Sequence, residues 1–336
     1  MSNFYFILFL ILLNFFVFVI NIKKIISLVN IYDYPDAKRK KHSKRTPVIG
    51  GLIFYSNFFI VFIFSLIEQD YQNFFFSSTK ELAIVMFSMS IFFLLGLYDD
   101  KSDIKPTIKF IISCIVLIFY TYFLEDTAVT SLKFKTFNGI YTLDYFSLFF
   151  TLTCILLFQN AFNMFDGSDL QIGNYVIIII IFLMFKTGLF YFFSCLLIPS
   201  IFFWYLNNKK IIFMGNSGTL LLPFVFSYFF IKSYSLNNFF IYVEDILVVM
   251  IIPGLDILRV FVYRILSNRN PFFPDRSHLH HLLEKKFNKN FMIQLIIAGL
   301  IILPLIANIF TNKFYFVLIF AISIYLTVCV FCLRNK

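Results

Sequence analysis

Two carboxylates stand side by side where an apolar run ends: residues 82–98 are almost wholly hydrophobic, and Asp99 and Asp100 follow. Neighbouring like charges repel, and close to lipid they also lose hydration, so the pair calls for a cation or a basic partner. Asp103 lies one helical turn further on, and Lys105 and Lys109 are spaced i,i+4. Carboxylates and a lysine in this arrangement suit holding a metal-bound phosphate or deprotonating a phosphate acceptor. Four more polar stretches interrupt the apolar sequence. Asn160 and Asn163 share one helical spacing, and Asp166 and Asp169 repeat it with Gly167 between them. Gly215-Asn216-Ser217-Gly218-Thr219 opens another apolar helix with a turn whose backbone amides suit anions. Asp33 to His42, which includes Lys41, leads to Arg45-Thr46-Pro47 and Gly50-Gly51, and clustered cations of this kind suit phosphate or lipid headgroups. Arg276, His278, His280 and His281 crowd one segment after Asp256 and Arg259. Histidines so spaced could hold zinc. With oxygen ligands elsewhere and no cysteine nearby, a hard cation such as Mg²⁺ fits better, with His and Arg as donors to phosphate or sugar oxygens. Each stretch alone also reads as a solvated helix end, a basic membrane anchor or a plain loop.

The elements that must position these residues are membrane helices. Of 336 residues 60% are hydrophobic and 14% charged, against roughly 25% charged in soluble domains. The expected fold is therefore all-α, a polytopic integral membrane protein with the bilayer as solvent. Apolar runs predict about eleven transmembrane helices, at roughly 3–20, 49–67, 82–98, 108–124, 143–159, 173–186, 188–206, 218–233, 243–264, 291–309 and 314–333. No polar stretch is long enough for a soluble domain, so residues 1–336 form a single domain whose loops 21–48, 99–109, 160–173, 207–218 and 265–290 carry the chemistry. With eleven spans, every basic cluster falls on one side. The positive-inside rule makes that side the cytoplasm, with the N-terminus outside and the C-terminus cytoplasmic. The net charge of +10 is then a topology signal and not one for nucleic acid. Phe4 to Ile20 lacks a basic lead and a small-residue cleavage site, and is read as a retained first span. The five cysteines lie in apolar runs as fillers, with no disulfide framework.

The five stretches, in this order, resemble the polyprenyl-phosphate N-acetylhexosamine-1-phosphate transferases (glycosyltransferase family 4), relatives of the phospho-N-acetylmuramoyl-pentapeptide transferase. The likeness runs from Asp33 to His281, and Pro274-Asp275-Arg276-Ser277-His278-Leu279-His280-His281 is similar to the sugar-transferring branch. It implies a Mg²⁺-dependent phosphotransferase, with Mn²⁺ as a substitute, in a bacterial inner membrane, its active site facing the cytoplasm. A UDP-N-acetylhexosamine would give its sugar-1-phosphate to undecaprenyl phosphate, a polyprenyl phosphate lipid, releasing UMP and starting a cell-surface polysaccharide. The resemblance gives Asp99, Asp100 and Asp166 catalytic roles. Lys109, Asn160, Asp169, Arg276, His278, His280, His281 and Lys41 would bind substrate, and Asn163 and Asn216 would hold the metal. A homodimer is a further expectation. Two departures stand out. Asn216 replaces the aspartate of the usual Gly-Asp-x-Gly, and Asp169-Leu170-Gln171 replaces Asp-Gly-Leu. The rival readings are a multi-span lipid or solute transporter, and a relative that binds its substrates without turning over.

Overall fold

The computed structural model describes residues 2–34, 45–68, 76–137, 139–235, 241–270, 276–311 and 313–334. Among these residues twelve α-helices run in chain order: α1 Ser2–Val29, α2 Gly50–Glu68, α3 Thr79–Ser102, α4 Pro106–Phe123, α5 Ser147–Phe165, α6 Gln171–Thr187, α7 Phe190–Asn208, α8 Gly215–Ser235, α9 Val243–Leu266, α10 Leu279–Lys286, α11 Asn290–Phe310 and α12 Phe314–Leu333. Among the described residues nine helices are long and apolar enough to cross a membrane, and α6, with 17 residues, is a shorter apolar one. The all-α membrane architecture expected from composition is therefore present. The helix α8 is not among the nine, yet it is the centre of the bundle, packed against α3, α2 and α5 and buried along almost its whole length. The outside is apolar: Phe9, Phe16, Ile115, Phe149, Phe185 and Ile319 are all exposed, a surface suited to lipid.

Close helix contact requires small residues where backbones cross. Gly96 of α3 lies against the backbone of α8, where an added Cβ would sit 2.3 Å from the carbonyl oxygen of Asn216. That crossing brings the Asp99-Asp100 end of α3 to the first turn of α8. Helix α9 carries Pro253, which cannot donate to the carbonyl of Val249, and the hydroxyl of Tyr175 donates to that oxygen instead, at 3.2 Å.

Two short hairpins, which the helical reading did not anticipate, close the bundle at opposite ends. Strands β1 Tyr32–Asp33 and β2 Thr46–Pro47 pair antiparallel, with Tyr32 opposite Pro47 and Asp33 opposite Thr46. Their continuation bonds to the entry of α8: Phe213 N–H donates to Pro47 O at 2.9 Å, and Gly50 N–H donates to Phe213 O at 2.8 Å. Strands β3 Ser131–Phe134 and β4 Gly139–Thr142 form the other hairpin, tied to α9 where Glu244 accepts the backbone N–H groups of Lys135 and Thr136. The five cysteines are all free. Cys195, Cys329 and Cys332 are the buried fillers expected, but Cys154 is exposed on the outside of the bundle.

Candidate active site

A cavity of about 680 Å³ opens at the end of the bundle where α3, α5 and α9 finish and α6, α8 and α11 begin. Asp100, Asn163, Asp166, Asp169, Asn216, Arg276 and His281 all line it, together with Asp33. Seven of the residues singled out in the sequence thus meet in one place, drawn from four separated stretches, and Asp33 adds a fifth.

The aspartate pair divides its work. Asp99 turns away from the cavity and is 3% exposed. One oxygen meets Lys109 Nζ at 2.8 Å and the other accepts Ile104 N–H at 2.8 Å, so Lys109 and Asp99 spend their charge on each other. Asp100 faces the cavity, and its two oxygens accept the backbone N–H groups of Asn216 and Ser217, at 2.7 and 3.0 Å. A carboxylate here satisfies orphan amides of the first turn of α8 and complements its dipole. Asp103, expected one turn further along the helix, is instead the exposed left-handed residue that ends it, with φ 49°.

Asp166 ends α5 at the floor of the cavity. No cation or hydrogen-bond donor among the described residues reaches its carboxylate. Burial first, then the charges of Asp100, Asp169 and Asp33, push its pKa up to about 7. Asp169 differs, having Lys210 Nζ at 3.3 Å. Asn163 also lines the cavity, and its carbonyl oxygen accepts the hydroxyl of Thr219 at 2.9 Å. Asn160 does not reach it: exposed on α5, it donates back to Leu156 O at 3.0 Å. The i,i+3 spacing of the two amides does not put both in the cavity. Lys41 lies outside the described residues, as do Pro274 and Asp275.

The histidines come from α10 and the residues before it. His280 is buried directly on Gly167, where a side-chain carbon would fall 2.1 Å from its ring, so only glycine lets this ring close on the Asp166–Asp169 loop. Burial, and next the neighbouring His281, hold His280 down to a pKa of about 3, which makes it a neutral imidazole. His281 and Arg276 line the cavity and both meet Glu284, at 3.4 and 3.5 Å. His278 lies behind them, bonded to Asp256.

Several placements emerge only in three dimensions. Asp33 arrives through the β1–β2 pairing and Lys210 from the turn after α7. From α11, Asn290 donates to Asp169 O at 3.2 Å and Gln294 to Ser168 Oγ at 3.0 Å. The sequence signal for the last two is an amide pair spaced i,i+4 at the start of a strongly apolar helix.

For a metal, oxygen donors of the right kind are present. Asp166 and Asp100 with the amides of Asn163 and Asn216 suit a hard cation, and Asp166 is a carboxylate surrounded by like charge. Among the described residues no three of His, Cys, Asp and Glu already stand in a metal-holding group, so any such site draws on the amide oxygens as well.

Comparison with known proteins agrees with the resemblance read from the motifs. The sequence model of glycosyl transferase family 4 matches residues 82–234, which span α3 to α8. The chain is 24% identical over 276 residues to the undecaprenyl-phosphate alpha-N-acetylglucosaminyl 1-phosphate transferase of Escherichia coli K12, covering 78% of this chain and 71% of that protein. It is 26% identical over 308 residues to the enzyme of the same name from Thermotoga maritima, covering 90% and 89%. With the Salmonella typhi enzyme of that name the identity is 23% over 278 residues, covering 80% and 72%.

Proposed function

Taking the match to glycosyl transferase family 4 as the premise, we propose that this chain transfers N-acetylhexosamine-1-phosphate from a UDP-sugar to undecaprenyl phosphate. The observation that carries the reading is the cavity in which Asp100, Asp166, Asn163, Asn216, Arg276 and His281 meet from distant parts of the chain. A lipid phosphate oxygen attacks the β-phosphorus of the nucleotide sugar. The new P–O bond forms as the bond to the bridging oxygen of UMP breaks, and UMP leaves with the electron pair. Two anions must approach each other, so the site has to neutralise charge. Asp166 with the oxygens of Asn163 and Asn216 would hold Mg²⁺, which would supply that neutralisation when bound. Arg276 and His281, at the rim, donate to phosphate and sugar oxygens. Neutral His280 closes the loop beneath them. Asp100, held in place by the α8 amides, orients the acceptor phosphate, and the Asp99–Lys109 pair fixes the turn that presents it. Asp169, beside Lys210, would bind the nucleotide.

The same reading sets this chain in a bacterial inner membrane with eleven spans, the N-terminus outside and the cavity facing the cytoplasm. There a soluble nucleotide sugar enters from water and the lipid from the bilayer. A homodimer belongs to this proposal too. The test is purified full-length protein with undecaprenyl phosphate, Mg²⁺ and radiolabelled UDP-N-acetylglucosamine or UDP-N-acetylgalactosamine. The expected result is a lipid-linked sugar pyrophosphate and UMP. Absence of product with every UDP-N-acetylhexosamine overturns the reading. One observation favours a second version, a protein that binds without turnover: Asn216 brings no charge to the cavity. Asn216→Asp separates the two, since a large gain in rate marks a weakened metal site and no gain marks a working one.

A further inference from the structure

Behind the cavity, α9, α10 and α12 meet around one carboxylate. Asp256 lies at the middle of α9 and is 4% exposed. Its Oδ1 accepts three donors: Leu279 N–H at 2.9 Å, Arg259 Nη2 at 2.8 Å and the hydroxyl of Tyr325 at 2.9 Å. Its Oδ2 lies 2.8 Å from Nδ1 of His278. Arg259 also donates through Nε to Tyr325 Oη at 2.7 Å and through Nη2 to the carbonyl of Ser277 at 2.7 Å. A carboxylate facing a guanidinium can only accept, so the proton of the His278 contact is on Nδ1, and the tautomer of that ring is set by Asp256. The carboxylate also satisfies the first backbone N–H of α10, whose N-cap residue, His278, makes no capping bond with its side chain.

None of these residues lines the cavity, and all lie beyond residue 234, where the family match ends. Their position fixes what does line it. Asp256 holds the start of α10, and within three residues on either side of His278 come Arg276 and His281 at the cavity and His280 on Gly167. The cost of desolvating an arginine and an aspartate in the bundle is hard to justify by stability alone, because an apolar replacement of equal volume is often no worse. We infer that Asp256, Arg259 and Tyr325 form a latch that positions the Arg276–His281 segment over the phosphate and sugar of the donor, tying it to the C-terminal helix α12. Asp256 is a positioning residue and not a catalytic one. The inference rests on the transferase reading for what the segment binds, but the latch itself can be tested without activity.

Two measurements on the full-length protein decide it. In the first, diethyl pyrocarbonate modification is mapped by mass spectrometry in wild type, Asp256→Asn and Tyr325→Phe. The latch predicts that His278 and His280 are protected in wild type, become at least tenfold more reactive in Asp256→Asn, and rise severalfold in Tyr325→Phe. The second is steady-state transfer. Asp256→Asn raises KM for the UDP-sugar and lowers kcat, each about tenfold or more, while KM for undecaprenyl phosphate stays within twofold. Tyr325→Phe, which keeps the ring and loses one hydroxyl, shifts the same parameters by about threefold and guards against a misfolded Asp256→Asn. Equal histidine reactivity in all three proteins overturns the latch whatever the activity. So does a rise in both KM values together, which is what a general structural defect would give. If wild type yields no product while Asp256→Asn exposes the histidines, the transferase reading fails and the latch stands.

Discussion

Glu81 and Asp245 are buried at the end of the bundle away from the cavity, and each meets a lysine: Lys232 lies 2.7 Å from Glu81 and Lys186 lies 2.8 Å from Asp245. Hydrogen bonds complete both sites, from Tyr228 and the Ser77 amide to Glu81, and from Asn308 and the Tyr242 amide to Asp245. Asp166, at the opposite end, meets no such cation and lies near three other aspartates. The same residue type, buried in the same bundle, is neutralised within the protein at one end and left to be neutralised by something else at the other. Closed pairs hold helices together, whereas an uncompensated carboxylate in a cavity is a binding feature that the fold tolerates. Stability and activity should therefore separate cleanly between the two ends.

The largest effect tests the open end. Asp166→Asn keeps the shape, removes the charge and breaks no hydrogen bond among the described residues. Turnover should fall about 10³-fold, equivalent to about 4 kcal/mol of transition-state stabilisation. Stability moves the other way. The folded protein holds a proton on Asp166 up to about pH 7, well above the ordinary carboxylate value, so the native site loses stability as pH rises from about 4 to 7. Without divalent cation, the variant should melt higher than wild type at pH 8, by less at pH 5, and equally only below about pH 4. A variant that loses activity by unfolding, with a lower melting temperature at pH 8, would break the comparison.

The next effect tests the closed end. Lys232→Met leaves Glu81 buried with only hydroxyl and amide donors, because Lys232 and Glu81 are 12% and 8% exposed. Breaking a buried pair by removing one partner should cost about 3 kcal/mol. Chemical unfolding followed by circular dichroism reads that loss, and turnover per folded molecule should stay at the wild-type value. A matching fall in turnover would mean the two ends are coupled through α8.

How much of this was legible in the sequence differs between the ends for a physical reason. At the cavity, residues that break an apolar run carry a signal whether or not their partners are known, and so Asp100, Asn163, Asp166, Asp169, Asn216, Arg276 and His281 could be singled out. Their exact duties were not legible. Asp99 and Asp100 are adjacent, so they point to different sides of α3, one to Lys109 and one to α8. Asn160 satisfies its own helix. The closed end was invisible, since Glu81–Lys232 and Lys186–Asp245 join residues 151 and 59 positions apart. The central helix α8 was placed as a span by its apolar run, but its burial on every side comes from packing at glycines such as Gly96, which no periodicity reveals.

The smallest effect sharpens the comparison through pH. If Asp166 is left for an outside cation, then proton and metal compete for it. Below about pH 7 its carboxyl holds the proton, kept there by burial and by Asp100, Asp169 and Asp33. A metal ligand must be deprotonated to bind, so affinity should fall with rising acidity. The apparent Mg²⁺ affinity, measured by isothermal titration on the detergent-purified protein, should drop about tenfold per pH unit below 7 and level off above about 8. Asp166→Asn should flatten that profile while lowering affinity throughout. His280, already neutral above about pH 3, contributes nothing to the limb. A slope that survives in Asp166→Asn would assign the proton to another group of the cavity, and the uncompensated charge that distinguishes this end would then lie elsewhere than on Asp166.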